Sequence, residues 1–188
     1  NNSSGGLINV SIAQHSEKYY CPVCGELMVP HMGKVRRWHF VHKNTGYCSY
    51  ESYIHKLAKI RIRQLFLSSE HFLLSYKAKA LCSFSCPFTN SPKCESEKPV
   101  EFDLRKYYDE CEMEVPYHKY KADLLLKSSM HPNRPPVLIE IMVTHKCTED
   151  KICDGVRIIE IPVHSEEDID NIVNNRKLKA VRYDKIND

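Results

Sequence analysis

The sequence predicts an α/β protein, with a mixed sheet flanked by helices as its core and a small zinc-binding module before it. Strand patterns that are apolar on both faces, as at 137–144, predict a sheet that is covered on both sides. Amphipathic patterns on either side of these strands predict the covering helices. The CPVCG motif at 21–25 predicts the module. The length of 188 residues suits one domain with a small appendage, which we place at 50–188 and 1–49.

The composition indicates a reducing compartment, which we expect to be the cytoplasm. Nine cysteines occur without a signal-peptide-like segment or a long apolar run, so we expect thiols that bind metal rather than disulfides. No membrane partner is expected. The net charge of +3 gives the molecule no strong overall field, so local basic patches would have to recognise a polyanion.

The N-terminal module is organised around Cys21 and Cys24. A Cys-x-x-Cys pair followed by Gly points backbone amides at two thiolates, and a structural zinc ion needs two further ligands in tetrahedral geometry. The candidates are His39, His42 and Cys48. We select His42 with Cys48, because the loop of five residues between them can turn back comfortably. The alternative, a thioredoxin-like redox pair, needs a βαβ context that is absent.

Two further features of the module follow from local patterns. Alternation of apolar and polar residues at 7–14 predicts a short strand. Lys34, Arg36 and Arg37 lie between the two ligand pairs, on a segment that we expect to form a hairpin. These basic side chains either contact phosphate or simply solvate the hairpin.

The first long helix is predicted at 50–67, with Ser49 as its N-terminal cap. Apolar residues at helical spacing form its buried stripe. Glu51, His55 and Lys59 are each four residues apart and therefore form one row on its surface. This row either faces a cleft, adding a carboxylate and an imidazole to a metal site, or is an exposed row that solvates the helix.

The middle of the chain contains three closely spaced cysteines, Cys82, Cys86 and Cys94. They follow a strand pattern at 71–79 and lie in a loop-like insertion at about 80–98. Three thiols at this spacing predict a second zinc site, for which the sequence does not identify the fourth ligand. The alternative is that all three are free reduced cysteines.

Two neighbouring strand patterns, at 121–128 and 137–144, contain the candidate catalytic carboxylates. Lys121 and Asp123 lie on one face of the first strand. Glu140 lies in the middle of the second, where an ionised carboxylate is costly unless it is paired or binds a metal. If the strands pair, the two carboxylates form an oxygen site for Mg²⁺ or Mn²⁺, the ions that phosphodiester hydrolysis commonly uses. The alternative is ordinary charge at the edge of a sheet.

The rest of the chain predicts further elements of the same core. The segment 100–123 has the pattern of one or two strands, and Glu114 within it is a reserve metal ligand. A short helix at about 149–153 and a strand at about 157–163 follow. The last helix begins after its cap at Ser165 and extends to about residue 178. The predicted order of elements is therefore helix, strands, helix, strand.

Several short motifs occur in order over about residues 7–173. No single motif is decisive, but their order and spacing together are specific. They are CPVCG at 21–25, HFVHK at 39–43 with Cys48, the helical residues Glu51, Ser52, His55 and Lys59, AD at 122–123, IEIMVTHKC..DKI at 139–152 and GVRIIEIPV at 155–163. On these residues the chain resembles the competence protein CoiA-like family, whose members join an N-terminal zinc-binding segment to a nuclease core of the PD-(D/E)XK type.

The resemblance implies a restriction-endonuclease-like core of the PD-(D/E)XK type with a four-stranded mixed sheet, preceded by a zinc-ribbon-like module. It further implies that Asp123 and Glu140 are ligands of a catalytic metal ion. From the first helix, it implies Glu51 or His55 as a helper residue.

One position departs from the family pattern. Met142 stands where the nuclease motif has a lysine, or in relatives a glutamine. A lysine there would hold the attacking water and stabilise charge on the phosphate, and a thioether can do neither. Lys121 can project its ammonium into the same space, while Lys146 and Lys151 are less direct substitutes. Loss of catalysis is the simpler interpretation of Met142 by itself.

These observations predict a metal-dependent DNA endonuclease that uses Mg²⁺ or Mn²⁺ and whose structural zinc module helps to seat the nucleic acid. The alternative is a catalytically inactive nucleic-acid-binding protein that retains the nuclease fold and has lost its chemistry at Met142. A third hypothesis is a protein-interaction module built on zinc.

Overall fold

The chain divides into two compact units, Asn1–Leu57 and Ala58–Asp188. Helix α1, at Tyr50–Ser68, crosses the division. The computed structural model describes five segments of the chain, at 1–2, 5–44, 48–80, 96–144 and 156–184.

The first unit contains a three-stranded antiparallel sheet in the order β1–β2–β3. The two-residue strand β1 leads directly into the CPVCG motif, and β2 begins just after it. Tyr19 is buried against the ring of Phe40, with the ring centroids 5.1 Å apart. The strands are β1 at Tyr19–Tyr20, β2 at Leu27–His31 and β3 at His39–His42.

The strand predicted at 7–14 is wrong. A 3₁₀ turn forms at Val10–Ile12 instead, because the Asn9 side chain accepts a hydrogen bond of 2.9 Å from the Ser11 N–H. Such a local side-chain bond offers the backbone an alternative to a strand ladder.

Helix α1 forms where the sequence predicts it and extends one residue further. Ser49 caps it, since its Oγ accepts a hydrogen bond of 3.0 Å from the Ser52 N–H. Glu51 in the first turn places an acid at the positive end of the helix dipole.

The second unit contains a five-stranded mixed sheet in the order β11–β9–β8–β7–β6 and a three-stranded sheet in the order β10–β4–β5. In the five-stranded sheet only β8 and β9 are parallel neighbours. The sheet is mixed, as expected, but it has five strands rather than four, because β11 adds to the outer edge of β9. The described strands are β4 at Leu73–Ala80, β5 at Ser96–Asp103, β6 at Glu110–Tyr117, β7 at Tyr120–Lys127, β8 at Val137–Met142, β9 at Arg157–Pro162, β10 at Lys177–Lys179 and β11 at Arg182–Asp184.

The predicted insertion at about 80–98 lies mostly outside the described residues. Its last three residues belong to β5, which pairs with β4 along its whole length. A 3₁₀ turn at Leu104–Lys106 then connects β5 to β6. The short helix predicted at about 149–153 also lies outside the described residues.

The central strands of the five-stranded sheet are apolar on both faces, as predicted. On one face Leu125, Leu138 and Ile158 lie side by side in register and belong to one buried cluster. Each such burial contributes about 1.5–3 kcal/mol. Two residues further along β8, on this same face, lies Glu140. A polar row therefore borders the apolar one directly.

The last helix, α2 at Glu166–Asn175, starts as predicted with a capping box between Ser165 and Asp168. It ends about three residues earlier than predicted, because Arg176 adopts a left-handed conformation with φ 51°. The chain can then pair in parallel with β4 as strand β10. No helix in the described part of the chain is long and apolar enough to cross a membrane.

Candidate functional site

Four candidate zinc ligands, Cys21, Cys24, His42 and Cys48, lie together in the first unit. Their ligand atoms are all within 4.8 Å of one another. The Cys21 and Cys48 sulfurs are 3.8 Å apart, and the Cys24 sulfur is 3.4 Å from the Nε2 atom of His42. Around one tetrahedral zinc, two sulfurs lie about 3.8 Å apart and a sulfur and a nitrogen about 3.5 Å apart. The cluster therefore fits a metal ion such as zinc.

The CPVCG motif builds one half of this cluster. The Val23 N–H donates a hydrogen bond of 3.4 Å to the Cys21 sulfur, as a knuckle around a thiolate requires. Gly25 adopts φ 74°, a conformation that costs a residue without a Cβ little, and its N–H donates to the Cys21 carbonyl at 3.0 Å. Strand β3 supplies the third ligand, because its pairing with β2 returns His42 to the knuckle.

The arrangement makes one thiol acidic. Desolvation raises the pKa of Cys24, but hydrogen bonds from the Glu26 N–H and the neighbouring thiols outweigh it and lower the pKa to about 7. The pKa of Cys48 rises to about 12, chiefly because of its hydrogen bond with Cys24. The acidic Cys24 thiol beside the weakly acidic Cys48 thiol forms a site at which a zinc ion would bind by displacing the thiol protons.

His39, the histidine that was not selected, is engaged elsewhere. Its Nδ1 atom lies 2.8 Å from the Arg37 carbonyl oxygen, and its ring lies 5.5 Å from that of His31. The side chain is exposed. In the described part of the chain, the metal-binding group contains His42 and not His39.

The two candidate catalytic carboxylates lie on adjacent strands of the five-stranded sheet. The antiparallel register of β7 with β8, continued by one residue, places Asp123 opposite Glu140 on the same face. Asp123 also accepts a hydrogen bond of 2.9 Å at Oδ2 from the Ile141 N–H. Glu140 is only 9% exposed. The strands thus bring together the carboxylates that alternation predicts to meet.

A third carboxylate, Glu160, continues this row on the other side of Glu140. The parallel register of β8 with β9 pairs the two glutamates directly, and Glu160 is 1% exposed. Glu160 is not among the residues that the motifs predict for the site. The tripeptide Ile-Glu-Ile occurs at both 139–141 and 159–161, and this repeat on two buried strands was the signal that could have identified it.

Glu114 extends the row at its other end. The register of β6 with β7 places it opposite Asp123, between two paired positions. Its φ of 57° is uncommon for a residue other than glycine, and a local strain of about 1–3 kcal/mol is typical of such a position. Four carboxylates therefore cross four neighbouring strands at one level of the sheet.

In the described part of the chain, the ammonium of Lys59 lies against this row. Lys59, on the third turn of α1, places its Nζ atom 2.8 Å from Glu114 Oε1 and 3.4 Å from Asp123 Oδ1. Lys59 is 5% exposed, so both ion pairs lie in a largely desolvated environment. The sequence pattern places Lys59 on the helical row, but it predicts Lys121 as the cation of the site. The side chain of Lys121 is exposed.

The row combines carboxylates from four neighbouring strands, and an apolar row of Leu125, Leu138 and Ile158 borders it. Among the described residues, the group of three or more ligands that lies close enough together to hold a metal ion is the thiol and imidazole cluster of the first unit. Burying negative charge in such surroundings is costly, and a bound cation relieves that cost. Carboxylate oxygens are the ligands that Mg²⁺ and Mn²⁺ prefer.

The remaining predicted site residues are distributed as follows. Glu51 and His55 lie on the first two turns of α1, within the first unit. Met142 is half-buried at the end of β8. The predicted second zinc site lies outside the described residues, and its thiols are those of Cys82, Cys86 and Cys94.

Comparison with known proteins concerns the first unit. Residues 8–51 match the family described as Competence protein CoiA, N-terminal domain. The matched segment contains all four residues of the thiol and imidazole cluster. No curated protein and no solved structure matches the chain.

Proposed function

We propose that this chain, with a first unit similar to the N-terminal domain of competence protein CoiA, is a metal-dependent DNA endonuclease of the PD-(D/E)XK type. The observation that carries the proposal is the position of Asp123 directly opposite Glu140 on two buried strands. Such a pair is costly to bury unless a cation binds it, and it offers two hard oxygen ligands from a rigid sheet.

Asp123 and Glu140 would hold one Mg²⁺ or Mn²⁺ ion. A divalent cation at such a site polarises a phosphate oxygen and lowers the pKa of bound water. The chain's own groups determine the geometry. The Ile141 N–H fixes one Asp123 oxygen, and the buried environment of Glu140 restricts its rotamers. The apolar row beside them excludes water from one side of the site.

The zinc-binding module is proposed to seat the nucleic acid. Lys34, Arg36 and Arg37 lie exposed between β2 and β3, where they can contact phosphates without reading the base sequence. A zinc ion held by the four clustered residues would fix the hairpin that presents them. The four cysteines in the described part of the chain are free thiols, which is compatible with the proposed cytoplasmic location.

A second candidate function is a catalytically inactive nucleic-acid-binding protein. Met142 favours it, because it lies on the same face of β8 as Glu140 and its thioether cannot stabilise charge on a phosphate. The two functions share the fold and the zinc module. They differ only in whether another basic side chain replaces the lysine of the nuclease motif.

Plasmid nicking with Mn²⁺ or Mg²⁺ separates the two functions. We expect zinc-loaded protein to nick supercoiled DNA, and Asp123→Asn or Glu140→Gln, which preserve side-chain shape, to abolish nicking. The matched control is Asp170→Asn on α2, whose exposed carboxylate contacts Arg61 at 3.3 Å. It should nick like the wild type. Binding of DNA by the wild type without nicking in either metal would establish the inactive alternative.

A further inference from the structure

We propose that Lys59 supplies, from helix α1, the positive charge that the nuclease motif normally supplies from the position of Met142. The inference rests on the proposed nuclease function and assigns a positioning residue to it. Lys59 is 5% exposed, and its ammonium contacts two members of the carboxylate row. A lysine is rarely buried to this extent unless it is paired.

The contacts of Lys59 are directed at the proposed metal ligand. Lys59 Nζ lies 3.4 Å from Asp123 Oδ1, and the Ile141 N–H lies 2.9 Å from Asp123 Oδ2. The two donors together fix the plane of the Asp123 carboxylate. The Lys59 ammonium therefore places positive charge directly beside the proposed metal ligand.

Glu114 keeps Lys59 at this position. Its Oε1 atom lies 2.8 Å from the ammonium, closer than the oxygen of Asp123. The left-handed backbone of Glu114, with φ 57°, occurs at this point of β6. Uncommon backbone conformations of this kind cluster at functional sites. The occurrence of this conformation beside the ion pair therefore favours a functional site over an ordinary surface ion pair.

Charge explains why a lysine on the helix can serve in place of one on the strand. The Met142 side chain lies on the same face as Glu140, and Lys59 meets this face from α1 at Asp123. Either position brings one ammonium to the carboxylate row. Because Lys59 already places a positive charge at the carboxylate row, a lysine at the position of Met142 is not required for that charge.

The experiment relocates the lysine. Lys59→Met should lower the plasmid nicking rate by about 10²- to 10³-fold, the usual cost of removing one donor of transition-state charge. Lys59→Arg should retain part of the rate. The double variant Lys59→Met with Met142→Lys should recover most of it, because the positive charge returns to the site. Lys127→Met, which removes a half-buried lysine on β7 paired with Glu112, is the control.

Mn²⁺ binding, followed by electron paramagnetic resonance, gives a readout apart from activity. The Lys59 ammonium repels a cation that binds at Asp123, so Lys59→Met should tighten Mn²⁺ binding about tenfold while it slows nicking. Asp123 remains held by the Ile141 N–H. A purely structural lysine would lower both quantities together.

The double variant Lys59→Met with Glu114→Gln removes one charge of each sign. It therefore leaves no carboxylate of Glu114 without the ammonium that it pairs with, which guards against misfolding of the variant. It should fold like the wild type and still nick slowly. Full nicking by Lys59→Met, or loss of nicking in Lys121→Met alone, would overturn the role of Lys59 and leave the nuclease intact. Absence of nicking in both the wild type and Met142→Lys would instead refute the nuclease function. The change in Mn²⁺ affinity between the wild type and Lys59→Met would then still test the role of Lys59. An unchanged Mn²⁺ affinity in Lys59→Met would overturn the inference.

Discussion

Removal of zinc should unfold the part of the first unit that precedes Ser49 and leave the second unit folded. Among described residues before Ser49, the buried apolar side chains are Ala13, Tyr19, Cys21 and Pro30. Each large side chain of this kind contributes only about 1.5–3 kcal/mol, whereas ordering each residue costs about 1.5 kcal/mol. Apolar burial alone therefore cannot stabilise the unit. Binding of a structural zinc contributes about 10–16 kcal/mol, which is the missing term.

Cys21→Ser tests this reasoning, because Cys21 contributes both a ligand and a buried side chain. Metal analysis should show one zinc fewer per chain than in the wild type. Hydrogen exchange should show lost protection at the amides of Cys21 and Lys43, which bond to the Glu26 and Leu27 carbonyls at 2.8 and 2.9 Å. Protection in β8 should be unchanged. Retained protection of those two amides in zinc-free protein would refute the argument.

Three further predictions concern the second unit. Burial raises the pKa of Asp103, but hydrogen bonds from His71 and two backbone N–H groups outweigh burial and lower the pKa overall. The ionised carboxylate therefore stabilises the folded protein above pH ~3.9, and this contribution is lost as the pH falls through the lowered pKa. Asp103→Asn should therefore lower the unfolding free energy at pH 7 by under about 1 kcal/mol in urea unfolding, because His71 is largely exposed. At pH ~2 the substitution should have no effect on the unfolding free energy. An equal loss at both pH values would contradict the role of the Asp103 carboxylate. Burial raises the pKa of Cys111 to about 12, so iodoacetamide at pH ~8 should leave it unmodified in native protein, as peptide mass spectrometry can check. Leu138→Ala should cost about 2–5 kcal/mol of unfolding free energy, and a cost below about 1 would mean that the row is not packed as described.

The sequence was sufficient wherever a pattern is local. Helix α1 follows from its cap at Ser49 and its apolar stripe, and β7 and β8 follow from period-two alternation. Alternation also explains why Asp123 and Glu140 meet, because antiparallel pairing of these strands leaves them on one face. The cluster of Cys21, Cys24, His42 and Cys48 follows from the short CPVCG motif and the loop length after β3.

What the sequence did not predict depends on contacts between distant elements. Lys59 lies 64 residues before Asp123, and the face of α1 that meets the sheet is a matter of packing. Likewise, α2 ends early because the chain after Arg176 pairs with β4, which lies far earlier in the sequence. Helical periodicity contains no information about such a partner.

Anomalous X-ray scattering from crystals soaked in Mn²⁺ would show directly whether the two carboxylates bind a metal ion. We expect a manganese peak about 2.0–2.3 Å from oxygens of both Asp123 and Glu140, absent in Asp123→Asn. Protein that nicks DNA with Mn²⁺ but has no manganese at these two carboxylates would contradict the account.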